Sequence, residues 1–143
     1  MSSRQLRRDV RFAANACGKA MQSELTHPIA YALSISRALW EFANDAVNDG
    51  EWPKPLAAAM SGRASMAAVR LGQFLAAGPC PADDCARGLR RAMVNLKAMS
   101  RLAETVVEQD MTSPNTARIA RMVRCTAFQT TMRLKHIDHA LDL

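Results

Sequence analysis

Apolar residues recur at helical spacing along almost the whole chain, and the recurrence stops at four short stretches. These are Thr26-His27-Pro28, Asp49-Gly50-Glu51-Trp52-Pro53, Gly78-Pro79-Cys80-Pro81 and Thr112-Ser113-Pro114. Proline and glycine in each of them end one helix or open the next. Between them no segment alternates polar and apolar residues with the β-branched content of a strand, and no Asn-Gly or Gly-Gly hairpin signal occurs. The pattern predicts an all-α protein: an antiparallel bundle of about five helices with a four-helix-bundle-like core, in a single domain over residues 1–143.

The first helix is expected over about 3–25, with Leu6, Val10, Ala13, Cys17, Ala20 and Met21 inward and Arg4, Arg7, Arg8, Arg11 and Lys19 outward. The second, about 28–48, has so wide an apolar arc (Ile29, Tyr31, Leu33, Ile35, Leu39, Trp40, Phe42) that it is expected at the buried centre. The third, about 54–77, is rich in alanine and glycine, which permit close helix approach. The fourth, from Asp83–Asp84 to about Met111, turns Leu89, Ala92, Met93, Leu96, Met99 and Ala103 to one side. The fifth, from Ser113-Pro114 to about Leu141, turns Ile119, Val123, Ala127, Leu134, Ile137 and Leu141 inward.

Charge changes this picture most in the fourth helix. Arg87, Arg90, Arg91, Lys97 and Arg101 fall in a stretch with no acidic residue between Asp84 and Glu104. On a helix they occupy an arc of roughly 120°, opposite the apolar side chains. The stripe is about 21 Å long at the helical rise. Charge is also sorted by segment: residues 1–22 hold five Lys/Arg against one Asp, whereas 23–53 hold one Arg against five acids. The whole chain carries +6, with a pI near 9.7. Such a chain is drawn to phosphate-rich or acidic partners in a salt-dependent way. Arg121 and Arg124 on the fifth helix extend the cationic set, and Phe128 and Met132 lie among them on the face opposite the core.

Two readings of these features remain open. In the first, the chain is a non-catalytic protein that binds the backbone of RNA or DNA, as a small accessory subunit of a nucleoprotein assembly. Arg87, Arg90, Arg91, Lys97 and Arg101 form its track, supported by Arg4, Arg7, Arg8, Arg11, Arg121 and Arg124. In the alternative, it is an interaction module for an acidic protein, with Phe128 and Met132 as an oligomer or partner contact.

Enzyme signatures are sparse. No glycine-rich phosphate loop, Ser-His-Asp set or Glu-x-x-His pair is present, and no cofactor is expected. Cys80, Cys85, His136 and His139 are four zinc-compatible side chains, but their spacing matches no finger or ribbon, so no metal site is expected. Glu24-Leu25-Thr26-His27-Pro28-Ile29 resembles the phosphoacceptor box of histidine kinases, with Ser23 where the phosphorylated histidine stands. The Arg133-to-His139 spacing resembles that of HEPN ribonucleases, with Leu134 at the usual polar position; this resemblance implies a less favoured, nuclease reading. Mean hydropathy is −0.13 and no apolar run is long enough to span a bilayer, so no membrane partner is expected. The basic start lacks a signal peptide's apolar segment, and Cys17 and Cys125 sit in helical pattern rather than in a disulfide framework. Together these predict a cytoplasmic protein.

Overall fold

The computed structural model describes residues 27–78, 83–108 and 113–141. Within them the chain forms four helices and no strand: α1 (Pro28–Asp49), α2 (Lys54–Ala76), α3 (Asp83–Glu108) and α4 (Ser113–Ala140). The periodicity predicts about five helices. The count among the described residues is four, and the helix expected at 3–25, with Arg4, Arg7, Arg8 and Arg11, lies outside them.

Local chemistry sets the helix ends. His27 caps α1 by accepting the Ile29 N–H on its Nδ1 at 3.1 Å, and Pro28 needs no partner in the first turn. Gly50 ends α1 in the left-handed region (φ 72°), where its N–H donates to the Ala46 carbonyl at 2.8 Å. The Pro53 carbonyl accepts the N–H groups of Leu56 and Ala57 at the start of α2. Asp83 and Asp84 lie in the first turn of α3, at the positive end of its dipole.

The helices pack as a four-cornered ring. α2 runs along α3 and α1 along α4; an α3–α4 contact and a smaller α1–α2 contact close it. Cross-contacts fix the antiparallel sense. His27 meets Phe74 at the end of the α1–α2 pair, with the Arg70 guanidinium 4.9 Å from the Tyr31 ring centre one turn further in. Arg124 of α4 reaches back to Asn44 near the C-terminus of α1.

The core holds Ile29, Tyr31, Ile35 and Leu39 from α1, Leu71 from α2, Leu89, Leu96 and Met99 from α3, and Val123 and Leu134 from α4. Each large aliphatic side chain so buried contributes about 1.5–3 kcal/mol relative to exposure. Ala57, Ala64, Ala67 and Ala68 line the inward side of α2, so α2 and α3 lie close together. A Cβ on Gly72 would fall 3.0 Å from Met93 Cε. Ser61 and Ser100 clasp this interface: each hydroxyl donates to the other's backbone carbonyl, at 2.9 and 2.8 Å.

α1 is buried over half its length in residues, eleven of 22, and among the described residues its exposed strip holds Arg37, Trp40 and Glu41. Trp40, expected inward, is 36% exposed. No described helix is long and apolar enough to cross a membrane.

Candidate functional site

The core residues of α3 (Leu89, Ala92, Leu96, Met99, Ala103, Val106) fix how that helix is turned, and the cations follow from it. Arg87, Arg90, Arg91, Lys97 and Arg101 are all exposed along its outer side. Among the described residues, Arg87 alone of these has an acidic partner, Asp84 at 3.2 Å. That pair is fully solvated and holds its geometry only weakly.

A sixth cation joins them from the neighbouring helix. Arg87, Arg90 and Arg91 on α3 and Arg133 on α4 line one open groove of about 500 Å³, with Asp84 its single acid and Val94 on its wall. Gly88 lets the two helices close up here. A Cβ on it would lie 2.9 Å from Ile137 Cδ1 and 3.9 Å from Arg133 Cδ, so the Arg133 stem passes directly over the glycine. Sequence reasoning singled out Arg133 only for its spacing from His139. The signal that could have found it is Gly88, a residue without a side chain at the flank of the stripe.

The other predicted cations divide. Arg121 is exposed on the outer side of α4, and antiparallel packing carries it back to about the height of Arg101. Arg124 is half-buried and turned toward α1, where its Nη1 donates to Asn44 Oδ1 at 3.1 Å. It is not gathered with the α3 cations.

Phe128 and Met132 are 56% and 51% exposed, one turn apart on the outer ridge of α4. Depressions flank the ridge on both sides. One, of about 510 Å³, shares Asp84, Gly88 and Arg133 with the arginine groove and reaches Phe128, Met132 and His136. The other, of about 260 Å³, lies toward α1, where Trp40 faces Phe128 and Met132 with Arg37 and Lys135 at its edge. Thr131 lines this second depression, and its buried hydroxyl has no hydrogen-bond partner.

No family model, curated protein or solved structure matches the chain. Assignment therefore rests on the chemistry of the surface.

That surface carries cationic side chains and exposed aromatic rings. His136 and His139 are exposed on α4, and among the described residues no three His, Cys, Asp or Glu gather as metal ligands. Cys85 and Cys125 form no disulfide among the described residues, and Cys80 lies outside them. Arg133 and His139 are six residues apart, which turns them about 120° away from each other around α4. Arg133 lies against Gly88, whereas His139 faces solvent. One titrating group with a displaced pKa stands at the start of α1. His27 is held below the ordinary 6.5 by burial and by the Arg70 charge, with Asp138 opposing.

Proposed function

We propose that this protein binds the phosphate backbone of a nucleic acid, without catalysis, through the outer side of α3 and the groove that α3 shares with α4. The observation that carries the reading is the convergence of Arg87, Arg90, Arg91 and Arg133 on one open groove beside a single acid. Guanidinium groups match phosphate oxygens in pairs, and several of them together gain affinity by releasing the counterions condensed on the polymer. Lys97 and Arg101 continue the track along α3, and Arg121 stands at its far end. Exposed Glu104 and Glu108 limit it beyond Arg101. In a cytoplasmic setting the protein would serve as a small accessory subunit of a nucleoprotein assembly.

The test is charge reversal at two exposed positions. Arg90→Glu with Arg101→Glu abolishes binding of RNA and DNA oligonucleotides at low salt while helix content and melting temperature stay at wild-type values. Unchanged affinity in that variant would end the proposal.

A second reading is favoured by the exposed Trp40, Phe128 and Met132: a protein-interaction module that meets an acidic partner or a second copy of itself. It predicts a stable oligomer in sedimentation and no polyanion binding above background.

A further inference from the structure

We infer that the ligand of this surface is a single strand, with its phosphates over the arginine groove and its bases on the aromatic ridge of α4. The inference rests on the backbone-binding reading above and specifies the strand state that it leaves open. A duplex keeps its bases stacked inside, so an aromatic side chain beside its backbone gains little. A single strand offers unstacked bases whose faces can lie on such a ring.

The surface has both parts at the right spacing. Phe128 lies five residues from Arg133 on the same helix, about 7.5 Å along the axis. The depression beside it is continuous with the arginine groove through Asp84, Gly88 and Arg133. Across the ridge, Trp40 gives a second ring at the depression it shares with Phe128 and Met132. Two aromatic rings and a cationic groove together suit bases and phosphates of one chain.

The same charges argue against a second copy as the occupant. A two-fold dimer places one patch against itself. Here Arg37, Arg133 and Lys135 border the apolar ridge on both sides, with Arg87, Arg90 and Arg91 next to them and only Glu41 and Asp84 as acids. Self-association would set like charges against like, which costs affinity. A polyanion meets no such penalty.

The protein contains its own reporter. Of its two tryptophans, Trp40 borders the ridge and Trp52 is 4% exposed in the core, so quenching on ligand addition reads Trp40. The full chain is titrated at low salt with oligothymidylate of about 12 nucleotides, within the span one small binding domain covers, and with a duplex of equal length. The single strand quenches Trp40 and binds more tightly than the duplex. Phe128→Ala weakens single-strand binding by about five- to 150-fold, the loss of one stacked base, and leaves duplex binding unchanged. Phe128→Tyr restores it. Equal loss for both ligands, or no loss for either, overturns the inference, as does a dimer in sedimentation that Phe128→Ala dissolves. The two levels separate cleanly. If both ligands bind, both are lost on Arg90→Glu with Arg101→Glu, and neither responds at Phe128, the backbone-binding reading stands and the stacking inference alone falls. If neither ligand binds, both fall.

Discussion

If the cations of α3 and Arg133 hold phosphates, the salt dependence of binding counts them. Five of the set have no acidic partner among the described residues: Arg90, Arg91, Lys97, Arg101 and Arg133. For a single strand, log K falls with log salt by about 0.7 per phosphate neutralised, so all five engaged give a slope near about −3.5. Raising salt fourfold, from about 50 to about 200 mM, then weakens binding by about 130-fold. Arg90→Ala with Arg101→Ala leaves three contacts, a slope near about −2.1 and a loss of about 18-fold over the same range. Both residues are exposed and touch nothing in the core, so the bundle persists, as circular dichroism will register. The assay is fluorescence anisotropy of a labelled single-stranded oligonucleotide at four or more potassium chloride concentrations. Parallel slopes for wild type and variant would refute the reasoning, because cations that hold phosphates must subtract from the slope when removed. A wild-type slope shallower than about −1 would refute it as well.

Two further predictions concern the bundle itself. His27 caps α1 through an unprotonated Nδ1, and its pKa lies below the ordinary 6.5, mainly through burial. The unfolded chain therefore takes up the proton first: this contribution to stability is full above about pH 6.5 and is lost as pH falls toward the lowered value. Melting temperature should drop on acidification from neutral pH, and His27→Asn, which keeps a cap that does not titrate, should flatten that part of the drop; an equal drop in both proteins rules the cap out. Gly62 is exposed inside α2, and a Cβ there would meet nothing within 4 Å. Gly62→Ala should stabilise by about 0.8–1 kcal/mol, seen as a rise in melting temperature of about 2–4 °C for a chain of this size; an unchanged or lower value contradicts the open surroundings.

The helix limits were legible because proline and glycine punctuate the chain. Pro28 and Gly50 mark the two ends of α1. The facing of α3 was legible too, since its cations and its core residues take opposite arcs of one helix. Pairing of helices was not. Periodicity reports on one helix at a time, whereas a groove is made by two. Arg133 enters the candidate site because α4 crosses α3 at Gly88, and Arg124, of the same residue type, leaves it because the opposite flank of α4 faces Asn44. Trp40 misled for a related reason. The wide apolar arc of α1 is buried over most of its width, but Trp40 sits at its edge, beside the exposed Arg37 and Glu41.

The serine clasp between α2 and α3 bears on this surface from behind. An interface lined with alanine looks much the same one turn further along, so alanine contacts alone leave the two rods free to slide by a helical pitch of about 5.4 Å. Ser61 and Ser100 remove that freedom, because their reciprocal hydrogen bonds form at a single axial position. A slip of one pitch would carry Arg87, Arg90 and Arg91 along α2. Two small hydroxyls between α2 and α3 thus act as an index pin, setting the height of the α3 cations along α2.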